Sequence, residues 1–522
     1  MKQAHTAGEA GSGGWSDGYV TDTEYTHGYY VELNPFRARL ALLVAGIAPP
    51  VFETACELGY GQGVSLNVHA AASGIRWWGT DFNPAQAAFA RELARTAGNG
   101  AQVADQSFAE FAARSDLPEF DFIGLHGIWS WVSDENRAVI TDFIRRKLRV
   151  GGVAYVSYNT QPGWAAFAPV RHLLARHAEV IGASGQGVLG RVDAAIGFVE
   201  RLAATDPAFV RAHPQVRQRI ESVKGQSRRY LAHEYFNQDW APMHFATVAE
   251  ALAPARLTHA CSANLLDQLD ALNLTPAQSA FLAEIPDAHF RESVRDFMTN
   301  QQFRRDYWVK GPRRLSAYDR SEALRETRVV LMVPRAGVPL KVSGALGQAT
   351  MNAGVYEPVL NVLADQAPHT VGEIERAVAA AGVSFAQVVE AVVTLTGTGH
   401  LAPAQPEADS RAAAPRAAAL NAALCRQARG SGEVSVLASP LIGGAVPVNR
   451  FAQLFLQARA QGQDDPRAWA AHVQTLLEAQ GQKLLRDGIP LEPGEATLAL
   501  LTEQAVKFAG SDLGVLGGLG VG

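Results

Sequence analysis

Cysteine is nearly absent from this chain, with three residues, Cys56, Cys261 and Cys425, in 522. They lie far apart, are odd in number and show neither Cys-x-x-Cys nor zinc spacing. That argues against a disulfide scaffold or metal knuckle and fits a reducing compartment. Long apolar runs are also missing. The most apolar stretch, Leu40–Val51, is broken by Gly46, Pro49 and Pro50, far short of a membrane span. No basic segment followed by an apolar one opens the chain, so no signal peptide is expected. The expectation is a cytoplasmic protein without membrane insertion. Positive charge is not in excess either. The net charge of −5 argues against nucleic acid as a partner. His233, Glu234, Asp239 and His244 fit no compact metal motif, so no metal is expected.

What is present is globular: hydrophobic residues make up 48% and charged residues 19% of a chain long enough for several domains. The most informative stretch is Glu53–Gly63, ETACELGYGQG. An apolar run ends in Glu57, and Gly59, Gly61 and Gly63 follow at alternate positions before a predicted helix, Val64–Ser73. Glycines so placed let the backbone turn tightly and let a ligand approach it. About twenty residues on, a second strand ends in Asp81, a spacing suited to gripping ribose hydroxyls. The pattern is ExGxGxG rather than GxGxxG. An acid before the first glycine favours S-adenosylmethionine (SAM), whose amino group can meet a carboxylate and which has no pyrophosphate.

A βα alternation starts at Val51. Strands are expected at Val51–Leu58, Arg76–Asp81, Ala101–Ala104, Phe120–Leu125 and Val153–Tyr158, with helices between them. This predicts an α/β fold with a Rossmann-like parallel sheet covered on both faces. Ligands in such sheets bind beyond the carboxyl ends of the strands. Asp105 follows the third strand and is a candidate for the adenine amino group, or a turn residue. Phe82 and Gln106 would flank the adenine ring. His126 follows the fourth strand, near the methyl. Trp129, Trp131 and Trp164 either wall an acceptor site or pack beneath neighbouring helices. Upstream, Tyr25, Tyr29 and Tyr30 form either a packed arm or a lid, since tyrosine faces attract cations.

The rest of the chain divides by composition. Residues 1–35 read as a flexible tail and aromatic arm, 36–164 as the SAM-binding core and 165–227 as a helical insertion suited to dimerisation. Residues 228–265 close the core sheet, and 266–325 form a helical segment. Residues 326–403 read as a winged-helix-like module with a hairpin at Val329–Val342, and 404–419 as a linker. Residues 420–522 form a small helical C-terminal domain with a mobile tail at Ser511–Gly522. The third helix of the module, SFAQVVEAVVTLTG, lacks Lys and Arg, so a DNA-reading role is disfavoured.

Together ETACELGYGQG, GTDFNPAQAAFA, FDFIGLHGIWSWV, LRVGGVAYVSYNTQPGW and RYLAHEYFNQDW resemble bacterial class I SAM-dependent methyltransferases with a methyltransferase regulatory domain. The likeness covers Tyr19 to Arg314 and, more loosely, the later module. It extends to protein lysine methyltransferases of outer-membrane proteins. The resemblance implies Glu57, Gly59, Gly61 and Gly63 at the amino-acid end of SAM, Asp81 at the ribose and Asp105 at the adenine. The Asn/Asp-Pro-Pro-Tyr signature of many amine methyltransferases is absent, and His126-Gly127 stands there instead. Methyl transfer needs orientation, desolvation and a deprotonated amine. The candidates for positioning or deprotonation are His126, Tyr158, Asn159 and Glu234. Tyr30, Trp129, Trp131, Trp164 and Tyr235 are candidates for contacting the acceptor. A protein acceptor and a homodimer are expected. The alternatives are a small-molecule or glycan methyltransferase and a non-catalytic SAM-binding interaction protein.

Overall fold

Short runs rich in β-branched and aromatic residues, each closed by a glycine or polar turn, form the central sheet. The computed structural model describes residues 26–182, 187–237, 239–486, 489–492 and 494–521. Tyr19 and Tyr25 lie outside the described residues. The strands are β1 (Thr54–Leu58), β2 (Arg76–Thr80), β3 (Gln102–Ala104), β4 (Phe120–Leu125), β5 (Leu148–Asn159), β6 (Leu257–Ser262) and β7 (Phe303–Lys310). They lie in the order β3-β2-β1-β4-β5-β7-β6. β7 runs antiparallel to both of its neighbours, and the pairings among β1 to β5 are parallel.

Helices cover both faces, and the strands alternate between them. Ala55, Trp77 and Phe122 share a core with α1 (Pro35–Val44), α2 (Val64–Ala72) and α3 (Pro84–Ala97). Cys56, Leu58 and Ile123 face α4 (Phe108–Ala112) and α5 (Asp134–Lys147). Between β5 and β6 the chain inserts α6 (Ala168–Val180), α7 (Gly187–Ala204), α8 (Ala208–Ala212), α9 (Gln215–Lys224) and α10 (Arg228–Tyr235), which have their own apolar core. Helix α11 (Phe245–Leu252) then returns to the sheet.

The stretch 266–325, expected to be helical throughout, holds α12 (Asp270–Asn273), α13 (Pro276–Ala283), α14 (Ala288–Thr299) and α15 (Ala317–Arg325), but also β7. β7 runs between β5 and β6 and carries three successive charges, Arg304, Arg305 and Asp306. Buried Arg304 donates to Asp306 and Asp296 at 2.8 and 2.7 Å, and to Glu292 at 2.8 Å. Burial pushes the Asp306 carboxyl up, but Arg304 and His259 overcome this and hold it below the usual range.

Next come β8 (Arg328–Leu331), β9 (Lys341–Gly344), β10 (Gly347–Thr350), α16 (Ala353–Val362), β11 (His369–Thr370), α17 (Val371–Val378), α18 (Phe385–Gly397) and β12 (Leu401–Pro403). The hairpin expected at Val329–Val342 is instead β9–β10, while β8 pairs with β11 and β12. Capping boxes, Thr370 with Glu373 and Ser384 with Gln387, start α17 and α18. The expected linker is part of a helix, α19 (Glu407–Gln427), with Pro415 inside it. Alanine is the strongest helix former, and buried Ala417, Leu420 and Leu424 join the core that includes α2 and α3. The C-terminal unit adds the hairpin β13 (Val436–Ser439) and β14 (Gly444–Pro447), α20 (Arg450–Ala460) and α21 (Pro466–Ala479). It continues with the short pair β15 (Leu485–Arg486) and β16 (Ile489–Pro490), then α22 (Glu495–Lys507) and α23 (Leu513–Gly518). The tail expected to be mobile is packed, with Val515, Leu516, Leu519 and Val521 buried.

Truncating Arg304 to Met strips three carboxylates of their shared cation. Breaking a buried ion pair from one side costs about 3–5 kcal/mol. A loss of that size is expected in urea unfolding of Arg304→Met, and a loss under about 1 kcal/mol would show that the carboxylates are satisfied by other groups.

Candidate active site

The glycine loop sits at the carboxyl end of β1, flanked by β2 and β4, with Glu57 level with Gly79 and Gly124. Gly59, Gly61 and Gly63 all take positive φ, +70°, +57° and +68°. A Cβ at Gly59 would collide with the Ile128 side chain, so this position needs glycine for both conformation and space. Gly63 is the N-cap of α2, which aims the first backbone N–H groups of that helix at the loop.

Two buried acids stand beside the loop. Glu57 Oε2 is shielded from solvent and has no hydrogen-bond partner among the described residues. Burial, with the Asp81 charge second, pushes its carboxyl well above the ordinary range. Asp81 accepts from the Gly61 N–H at 2.9 Å and the Asn83 N–H at 3.0 Å. Burial lifts its pKa to about 6 against those two hydrogen bonds. An orphaned buried carboxylate beside a strained glycine loop suits a ligand with an ammonium and hydroxyls. Glu57 and Asp81 thus fit the amino-acid and ribose ends of SAM.

Beyond β4 and β5 opens a cavity of about 370 Å³. Its aromatic walls are Tyr30, Trp131, Trp164, Tyr230, Tyr235 and Phe303, and its polar groups include His126, Asn159, Arg219, Gln226 and Glu234. Tyr30 stacks on His126 with ring centroids 3.5 Å apart, and its N–H donates to Ser65 Oγ of α2 at 2.8 Å. One side chain therefore touches the cavity while its backbone is tied to the glycine-loop helix. His126 Nδ1 lies 2.8 Å from the Tyr155 hydroxyl. Burial pushes its pKa down to about 4, so the ring is neutral at physiological pH. Asn159 is buried, and its Nδ2 has no partner among the described residues. Burial lifts the Glu234 carboxyl to about 7, with Arg219 pulling the other way.

The structure thus brings together His126, Asn159, Glu234, Tyr30, Trp131, Trp164 and Tyr235. It separates others. Tyr158 is fully buried, and its hydroxyl donates to Asp306 at 2.9 Å, so it does not reach the cavity. Trp129 is fully buried in the core beneath α5 and is no acceptor wall. Tyr29 is not a lid, because its hydroxyl accepts from Ala445 N–H at 3.0 Å in the C-terminal hairpin. Asp105 lies at the end of β3, half exposed and ion-paired with Arg91. Phe82 is half-buried after β2, and the side-chain oxygen of Gln106 is buried without a partner. Arg219, Gln226, Tyr230, Gln302 and Phe303 line the cavity without having been singled out. Arg219 and Gln226 come from the end of the insertion, where no local signature marks them. Phe303 starts the unforeseen strand.

This strand order, with its antiparallel seventh strand and a glycine–acid loop at the carboxyl end of the interior strand β1, defines a class I methyltransferase type of protein. A family model described as "Predicted methyltransferase regulatory domain" matches residues 227–310. The uncharacterized protein sll1526 of Synechocystis sp. is 38% identical over 512 residues, covering 97% of this chain and 99% of that protein. The chain belongs to the same family as sll1526. The uncharacterized protein RP789 of Rickettsia prowazekii is 24% identical over 53% of this chain and 49% of its own length. Among solved structures, PKMT2 from Rickettsia typhi, in complex with AdoHcy, superposes with a TM-score of 0.66 at 17% identity. That match covers 95% of this chain and 98% of PKMT2, and it is a likeness of fold.

The loop geometry can be tested against an internal control. Gly98 also has positive φ, +58°, but has open space around it. Gly98→Ala is expected to cost only the left-handed strain, about 1–2 kcal/mol. Gly59→Ala is expected to cost more, because Ile128 must also move. Thermal unfolding of both variants checks the order.

Proposed function

We propose that this protein transfers a methyl group from SAM to a protein side-chain amine, that of lysine. The observation that carries the reading is the aromatic cavity at the ends of β4 and β5, which holds a carboxylate, Glu234, with a pKa near 7. When bound, SAM supplies a methyl on a positively charged sulfur. Glu57 would accept from its ammonium and Asp81 from its ribose hydroxyls, while Asp105, Phe82 and Gln106 would border the adenine. The aromatic faces hold the acceptor ammonium by cation–π attraction and exclude water. Glu234 would take the proton of the acceptor ammonium and leave a neutral amine, the nucleophile that a methyl on sulfur requires. Neutral His126, braced by Tyr30 and Tyr155, and Asn159 orient the amine. Residues 326–403 read as a winged-helix-like module for protein rather than DNA, because α18 carries no basic residue.

Calorimetry tests the cofactor assignment. Asp81→Ala is expected to weaken SAM binding at least tenfold, the scale of a lost hydrogen bond to a charged group. Wild-type affinity is expected to fall as pH drops through about 6, where the Asp81 carboxylate takes up its proton. Unchanged binding in Asp81→Ala would sink the assignment. For the chemistry, kcat is expected to rise with pH through about 7 as Glu234 ionises. Glu234→Gln is expected to lose about 10²–10⁴ in kcat together with that inflection, and to keep its SAM affinity. Labelled SAM in a lysate of the source cell should mark protein bands, and label confined to small molecules would end the protein-acceptor reading.

A further inference from the structure

The acceptor cavity has two electrostatic poles, and lysine methylation uses only one of them. Glu234 supplies the negative pole. The positive pole is Arg219 on α9, a helix anchored by the buried Val216, Ile220 and Val223. Its guanidinium lies over the Trp164 ring, 4.7 Å from the centroid, and 5.3 Å from that of Phe167. One nitrogen donates to Gln302 Oε1 at 2.8 Å. Neighbouring cations of the insertion are matched by acids: Lys224 pairs with Glu200 at 2.6 Å, Arg217 with Asp206 at 2.5 Å and Arg228 with Asp193 at 2.5 Å. No carboxylate among the described residues pairs with Arg219. A guanidinium held against two aromatic rings beside an open cavity, with N–H donors to spare, is suited to a planar carboxylate.

We propose that Arg219 is a carboxylate-binding subsite of the acceptor cavity, so that the enzyme prefers a lysine flanked in its polypeptide by an acidic residue. The proposal rests on the lysine reading above. The amine enters toward Glu234 and the neighbouring carboxylate toward Arg219, which places an opposite charge at each pole. The same subsite disfavours a basic neighbour, whose charge would meet Arg219 unscreened in a partly desolvated pocket. Free lysine carries a carboxylate too, and its rate separates the two sources.

The test uses the full chain and peptides alike except at the residues on both sides of a single lysine, either Glu, Gln or Arg, with free lysine alongside. Initial rates are read with labelled SAM. Wild type is expected to show kcat/KM at least tenfold higher for the Glu peptide than for the Gln peptide, and lowest for the Arg peptide. Added salt should shrink the gap. Arg219→Gln is expected to level the three rates, and Arg219→Glu to invert their order, with SAM affinity unchanged in both. A variant damaged in folding would lower every rate without inverting the order. Equal wild-type rates for the Glu and Gln peptides, or an unchanged ratio in Arg219→Gln, would overturn the subsite alone. Free lysine outpacing every peptide would overturn the peptide source of the carboxylate. SAM binding without turnover of any acceptor would remove the lysine reading beneath it.

Discussion

Helix α2 has no exposed residue. All nine positions from Val64 to Ala72 are buried, although a helix lying on a sheet ordinarily keeps a wet face. The sheet covers one side of α2, and α19 with the β13–β14 hairpin covers the other. Each polar side chain of α2 is engaged. Asn67 donates to the carbonyls of Gly63 and Ala90, and Ser65 accepts from Tyr30 N–H. His69 meets the Gly443 carbonyl at 3.3 Å. Its burial also pushes the imidazole down to about 4, so the ring stays neutral and costs no charge desolvation near pH 7. Because α2 begins at the last glycine of the loop, clamping it fixes the loop. The C-terminal unit thereby braces the cofactor end of the site.

Burial also sets the charges. Glu57, Asp81 and Glu234 all have their carboxyls raised, while His126 is pushed down. A site of this kind resists bare charge and welcomes cations that compensate its acids. SAM and a lysine side chain are both cations, and two of them in one desolvated pocket repel. In the proposed reaction, proton transfer from the amine to Glu234 would relieve that repulsion and create the nucleophile in the same act. A carboxyl of ordinary pKa would accept that proton far less readily, so on that reading the burial of Glu234 would serve its role as base.

The sequence made the cofactor end legible because it is written in backbone constraints. Glycines at left-handed positions, an acid before them and another at the end of the next strand leave local marks. Side-chain direction was harder. Tyr158 and Asn159 are consecutive at the end of β5, yet period-two alternation sends one into the core and the other into the cavity. Trp129 and Trp131 divide similarly across one short helical turn. β7 escaped notice because its charged triplet hides the alternation. Arg304 and Asp306 share the buried face with Asp296 and are satisfied by one another rather than by water. The stretch read as a linker was alanine and proline by composition; alanine's helix propensity and the packing partner on α2 and α3 together make it a helix despite Pro415.

The acceptor end is assembled on a different principle. Its chemistry-bearing residues come from β4, β5, the insertion and the approach to β7, and no two of these groups are neighbours in sequence. What joins them is a small set of polar ties: Arg219 to Gln302, Arg171 to the Asn237 carbonyl at 2.7 Å, and Asn159 N–H to Ser130 Oγ at 2.8 Å. Backbone bonds just after the insertion add to these ties, with Ala241 N–H donating to the Ser130 carbonyl and Met243 N–H to the Asn159 carbonyl, both at 2.9 Å, so the region is held at the sheet end without continuous strand pairing. Substitutions in the insertion therefore alter the acceptor walls without disturbing the glycine loop. The cofactor end is constrained by the fold as a whole, and the acceptor end by a few side-chain and backbone ties. On the proposed reading, that asymmetry would let one sheet architecture serve different acceptors, with α9 and α10 rather than the strands supplying the choice.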